Sequence, residues 1–132
     1  MKKYKRYCKT LQLENDIALI EEYKKYHAMG NAWPEITHGM KAIGIIDMEI
    51  YLDGTTLFMI IDTEENFDHN KAMTKLAAMP RQSEWEAAVS KFQKTSVSSS
   101  AKEKWKLVER IYKMDQEKEF TVEEGYVEEI KI

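Results

Sequence analysis

An α+β, ferredoxin-like fold, with a four-stranded antiparallel sheet and helices on one face, follows from three features of this sequence. Residue patterning gives the order strand, helix, strand, strand, helix, strand, the split βαβ arrangement. Near the N-terminus Tyr7, Lys9, Leu11 and Leu13 alternate with Arg6, Cys8, Thr10 and Gln12, the period-two signature of a strand. Near the middle, Asp53-Gly54 separates two β-rich runs and marks a hairpin, because such a turn needs residues that tolerate positive φ.

Each element has its own signal. The first strand spans Tyr4 to Leu13, and Asn15 or Asp16 then caps a helix through His27, with Ile17, Ile20, Tyr23 and His27 on one stripe. Asn31 to Pro34 form a turn, and Pro34, whose fixed φ suits a first helical turn, starts a short helix ending near Gly39. Met40 to Leu52 reads as an Ile-rich strand, in which Ile43, Ile45, Asp47 and Glu49 alternate with Met48, Ile50 and Leu52. Thr55 to Thr63 is its hairpin partner. Glu64 to Met79 carries Phe67, Ala72, Leu76 and Met79 at roughly helical spacing until Pro80 breaks it. Ser83 to Phe92 is helical again, with Trp85, Ala88, Val89 and Phe92 on one face, and Thr95 to Ala101 is a serine-rich loop. Trp105 to Met114 alternates as a fourth strand. The acidic stretch 115–132 reads as an extension of the 1–114 domain, docking on the sheet edge or a partner subunit through Phe120, Tyr126 and Ile130.

At 132 residues the chain is one domain with room for a real core. A sheet covered on one face leaves a second, largely apolar face to bury, so a homodimer closing into a dimeric α/β barrel is expected. Net charge is −3 with both signs interspersed, which argues against nucleic acid or an anionic membrane as partner. No apolar run approaches the roughly 20 residues that span a bilayer, and no hydrophobic segment follows the basic start, so neither a membrane span nor a signal peptide is expected. The single cysteine, Cys8, reads as a small core residue and excludes an internal disulfide framework, pointing to a cytoplasmic setting.

Chemistry concentrates in Glu21 to Glu35. Tyr23 and His27 lie four residues apart, so a helix sets phenol and imidazole side by side, a pair able to steer a proton near neutral pH. The plainer alternative is that both only pack the helix against the core. Three histidines, at 27, 38 and 69, lack metal-ligand spacing, so no metal is expected; His38 reads as turn-stabilising and His69 as solvated. Asp53 serves the hairpin. Neither a glycine-rich phosphate loop nor a G-x-S-x-G turn occurs.

Several of these residues together resemble the L-rhamnose mutarotase family. They are Tyr23 and His27 followed by Trp33-Pro34-Glu35; His38-Gly39 before a strand; Ile50-Tyr51-Leu52-Asp53; Leu57-Phe58; Trp85; and Glu109 with Tyr112. The similarity runs from about Lys5 to Met114. It implies a small, metal-free, dimeric α/β-barrel isomerase that interconverts the α and β anomers of L-rhamnose, a closely similar set being associated with L-fucose. By this resemblance His27 is the proton donor, Tyr23 a substrate-contacting tyrosine and Trp85 one of two adjacent tryptophans lining the sugar site. Glu84 replaces the second of those tryptophans, and Met48 stands where the family has a tyrosine three residues before Tyr51.

Mutarotation asks for little else. A proton leaves the anomeric hydroxyl, the ring oxygen gains one, the ring opens, the aldehyde face rotates and the ring closes. Nothing is oxidised, so no cofactor is expected. His27 and Tyr23 are therefore the catalytic candidates, and Trp33, Met48, Tyr51, Glu84 and Trp85 the sugar-binding ones. Two other classes stay open on the residues: a cofactor-independent oxygenase of the same barrel type, and a non-catalytic sugar or metabolite binder.

Overall fold

The computed structural model describes residues 2–95, 99–112, 114, 120–121 and 125–130. Strand β1 (Lys2–Gln12) is the centre of the sheet. Its alternation sends Tyr7, Lys9, Leu11 and Leu13 inward, all buried, while Arg6, Thr10 and the half-buried Cys8 take the outer face. Cys8 is therefore an outer-face residue and not the core residue expected of it.

Helix α1 (Ile17–His27) starts where the Asp16 side chain accepts from the Leu19 N–H, a cap typically worth about 1 kcal/mol. Tyr23 is its one buried residue, and Ile17, at the first turn, stays exposed. Helix α2 (Pro34–Ala42) runs a turn past Gly39. It gives way at Gly44, whose φ of 103° only glycine adopts freely, and strand β2 (Ile45–Asp53) begins there, five residues after Met40. Strand β3 (Thr56–Glu64) returns antiparallel after Gly54 at φ 61°. A register shift between Ile45 and Asp47 places Ile45 opposite Thr63 and Met48 opposite Ile61, so both face inward. Simple alternation had put Ile45 and Met48 on opposite faces; the bulge at Ile46 switches the phase.

Glu64 closes β3 instead of opening a helix; Asp68 then caps α3 (His69–Ala77) by accepting from the Lys71 N–H. His69, expected in solvent, is buried against Tyr7 and Phe67. Helix α4 (Gln82–Ser90) follows Arg81, a non-glycine residue at φ 63°. A short helix, α5 (Ala101–Lys104), is fixed by a reciprocal Ser100–Glu103 capping box.

The last elements differ most from expectation. Strand β4 is only Lys106–Val108, paired with Cys8–Thr10. The rest of that edge of β1, Lys2–Arg6, pairs with β6 (Gly125–Ile130), which hairpins with β5 (Phe120–Thr121). Beyond Val108 the alternation sets Glu109 on one face and Arg110 on the other, so neither face gains by pairing, and Ile111, Tyr112 and Met114 are exposed. Of Phe120, Tyr126 and Ile130 the structure describes the backbone, and the side-chain packing expected of them lies outside what is described.

The sheet order is β2-β3-β1-β6-β5, with β4 pairing β1 beyond the end of β6; its β2-β3-β1-β4 part is the ferredoxin-like order, and α1 to α4 cover the inner face. The core between them holds Tyr7, Leu11, Leu57, Ile61, Leu76, Val89 and Phe92, each such buried apolar side chain contributing about 1.5–3 kcal/mol. Among the described residues, no helix is long and apolar enough to cross a membrane.

Candidate active site

Between the inner face of the sheet and the helices lies a cavity of about 140 Å³. Lys9, Met48, Ile50 and Met59 form its floor; Tyr23, His27, Trp33 and Trp85 form its roof and mouth. Its wall is mostly apolar with a few convergent polar groups, the usual constitution of a small-molecule site.

One turn of α1 brings the Tyr23 and His27 rings together, centroids 4.5 Å apart and tilted by 51°. His27 Nδ1 lies 2.9 Å from the Tyr23 carbonyl oxygen. A carbonyl only accepts, so the assigned tautomer carries its proton on Nδ1 and leaves the Nε2 lone pair free. Burial lowers the His27 pKa, opposed by the bond to the Tyr23 carbonyl and by the negative charge of Glu86. The imidazole is thus neutral at neutral pH and able to take a proton. Burial raises the Tyr23 pKa, with Glu86 adding to the rise and a hydrogen bond with Gln93 opposing it. Tyr23 therefore stays a phenol, available to donate or accept.

The aromatic wall continues from this pair. Trp85 meets His27 edge-on at 5.4 Å, and Trp33 meets Trp85 edge-on at 5.2 Å. The Arg81 guanidinium lies 4.2 Å from the Trp33 ring centroid and pairs with Glu35 at 3.5 Å and Glu84 at 3.4 Å. The left-handed backbone at Arg81 turns the chain so that α2 and α4 are clasped over the mouth.

Five of the residues singled out from sequence, Tyr23, His27, Trp33, Met48 and Trp85, are thus brought to one cavity. Two are not. Tyr51 is on the outer face of β2, half exposed, and donates its hydroxyl proton to Glu49 at 2.7 Å. Glu84 points into solvent beside Arg81. Strand and helix phase explain both: Tyr51 is one residue out of step with Ile50, and Glu84 precedes the buried pair Trp85 and Glu86.

The family model described as L-rhamnose mutarotase matches residues 6–114, which contain the whole cavity. The chain belongs to the L-rhamnose mutarotase family. Its mutarotase relatives include the L-fucose mutarotase of Xanthomonas campestris pv. campestris, 33% identical over 111 residues, covering 84% of this chain and 89% of that one. A UPF0734 protein of Dictyostelium discoideum is 37% identical over 116 residues, covering 85% and 91%. The crystal structure of L-rhamnose mutarotase from Formosa agariphila matches with a TM-score of 0.63 over 83% of this chain and 98% of that one, at 18% identity, a likeness of fold. Membership in a mutarotase family makes the chain an isomerase acting on sugars.

Within this mutarotase fold, four polar residues at the cavity escaped the sequence reading: Lys9, Glu86, Gln93 and, behind Glu86, Lys104. Glu86 is buried, accepts from Gln82 Nε2 at 2.7 Å, and pairs with Lys104 Nζ at 3.0 Å, which also donates to the Glu86 carbonyl at 2.6 Å. A signal existed for all but Lys104. Lys9 is in the apolar phase of its strand, while Gln82, Glu86, Ser90 and Gln93 repeat at three or four residues beside the Trp85 stripe.

Proposed function

We propose that this chain interconverts the α and β anomers of a 6-deoxy-L-hexose, with L-fucose and L-rhamnose the two candidate substrates. The observation that carries the reading is the neutral His27 at the mouth of an aromatic-walled cavity, with Nδ1 bound to the Tyr23 carbonyl and Nε2 free. In this scheme Nε2 removes the proton from the anomeric hydroxyl as the C1–O5 bond breaks, and the ring oxygen is protonated, by the imidazolium or by the Tyr23 phenol. The open-chain aldehyde rotates about C1–C2, and the reverse proton transfers close the ring on the other face. Every proton taken is returned. Trp33 and Trp85 offer the C5 methyl an apolar wall. Exchange NMR between anomers tests the reading: catalysed exchange of at least one of the two sugars is expected, and no acceleration of either rejects it.

The working unit is proposed to be a homodimer closed through the outer sheet face. Phe58 and Tyr51, 38% and 51% exposed, stand there beside the half-buried Ile60, Cys8 and Val108. Light scattering that finds only monomer at micromolar concentration would refute it. The domain is taken as residues 1–114 with 115–132 as its extension, a reading supported by the pairing of β6 with Lys2–Arg6. Truncation after Met114 should then lower thermal stability; an unchanged melting temperature would make the extension passive.

A further inference from the structure

Two lysines are buried among the described residues, and they are treated differently. Lys104 has a fully covered side chain whose ammonium meets the Glu86 carboxylate and carbonyl. Lys9 is 1% exposed, lines the cavity, and has no hydrogen-bond acceptor among the described residues. Its cross-strand neighbours are Met59 and Leu107. A buried ammonium is held in a fold when it is paired, because its desolvation is otherwise uncompensated. Burial lowers its pKa to about 8, so at neutral pH it is still mainly the cation, with three protons to donate and nothing to accept. The nearby groups do not answer it: Glu86 is taken by Lys104 and Gln82, and His69, kept neutral by burial and then by Lys9, has its Nε2 without a hydrogen-bond partner among the described residues.

We propose that Lys9 is a substrate-binding residue, its ammonium donating to the hydroxyls on the C3–C4 edge of the sugar. The assignment rests on the mutarotase reading and on the opposed positions of the two residues. His27 comes from the helix roof at the mouth, where it must meet O1 and O5. In a pyranose the edge opposite the O5–C1 bond is C3–C4, and a ring spanning the cavity turns that edge to the sheet floor, where Lys9 stands. L-Fucose and L-rhamnose differ in configuration at C2 and C4, so Lys9 meets one of the two hydroxyls that tell them apart. The apolar floor around it, Met48, Ile50 and Met59, offers no other donor on that side.

The test is a cycle between residue and hydroxyl. Wild type and Lys9→Met are assayed by anomer-exchange NMR on the sugar that wild type turns over best and on its 3-deoxy and 4-deoxy analogues. Lys9→Met on the parent sugar should raise KM by about ten- to a hundred-fold, with kcat changed less, the scale of one lost hydrogen bond to a charged group. Wild type should lose a similar factor on one of the deoxy analogues, and the variant should show little further loss on it. Melting temperature separates binding from support. Replacing an unpaired buried cation by an apolar chain of similar length should raise it, whereas a lysine that holds the strand in place would lower it when removed. Lys9→Gln, which keeps a neutral donor, should recover part of the affinity and serves if the methionine variant does not fold. Losses that simply multiply, or a Lys9→Met enzyme equal to wild type, overturn the proposal while leaving the mutarotase reading standing. A wild type that accelerates no deoxyhexose removes both.

Discussion

The outer and inner faces of the sheet are built from the same strands and handle polar groups in opposite ways. Outside, Arg6 meets Asp62 at 2.7 Å with both side chains partly in water, and the Tyr51 hydroxyl meets Glu49. Partly hydrated pairs of this kind are screened by water and add only modestly to stability. Inside, Lys9 and Tyr23 are buried beside a mostly apolar cavity, with His27 at its mouth, and a misplaced charge there is expensive. A polar residue in the inward phase is therefore informative whatever its type, and one in the outward phase is not. Four predictions sharpen or break this contrast.

The largest effect should come from His27→Ala, which removes the one imidazole among the described residues that line the cavity. A loss on the order of 10²–10⁴ in exchange rate is expected, with folding intact because His27 is at the open end of α1. Wild-type rates in this variant would take His27 out of the mechanism. Tyr23→Phe keeps the buried ring and deletes a hydroxyl, so about ten-fold is expected; a Tyr23→Phe enzyme slower than His27→Ala would reverse the two roles.

Next in size is the dependence on pH. His27 must be neutral to act as base, and burial lowers its pKa below the ordinary 6.5, against the Tyr23 carbonyl and Glu86. The acid limb of kcat/KM should therefore fall below the usual histidine range. Lys9, at about 8, should add an alkaline limb as the ammonium is lost, with His69, Glu86 and Tyr23 the titratable groups near it. That limb should vanish in Lys9→Met. An acid limb at or above 6.5, or an alkaline limb that survives the substitution, would separate the inner-face charges from catalysis.

The same contrast shows what was legible in the sequence. The phase of β1 was readable through Tyr7, Leu11 and Leu13, and the i,i+4 geometry of Tyr23 and His27 needed only a capped helix. The phase of β2 was not, because a bulge at Ile46 is a tertiary adjustment that lets both Ile45 and Met48 reach the core. Lys9 was in plain view in the inward phase, but alternation records position and says nothing of whether a partner exists; only the lack of an acceptor among the described residues gives that lysine meaning. The strand read over Trp105 to Met114 met a competitor it could not anticipate, since Gly125–Ile130, remote in sequence, occupies the edge beside Lys2–Arg6.

A smaller and purely associative effect is expected from Phe58→Glu. Phe58 is on the outer face opposite Tyr51, remote from the cavity lining. A charge there should dissociate the proposed dimer in light scattering and leave the unfolding transition of the monomer in place. A dimer that survives would place the interface elsewhere.

The smallest effects should come from Tyr51→Phe and Glu84→Gln. Both residues are sugar-binding candidates by resemblance, and both are turned away from the cavity. Tyr51→Phe removes an exposed hydroxyl that donates to Glu49 two residues away. Glu84→Gln weakens one arm of the Arg81 clasp, yet Arg81 keeps Glu35 and its stacking on Trp33, so the mouth should hold its shape. Exchange rates within about two-fold of wild type are expected for each, the scale of exposed interactions worth a few tenths of a kcal/mol. A ten-fold loss in Glu84→Gln would mean that α4 rotates to bring the carboxylate to the sugar. A ten-fold loss in Tyr51→Phe would mean that the outer face reaches a site, which in a closed dimer is the partner's, and the division of labour between the two faces would fail at that residue.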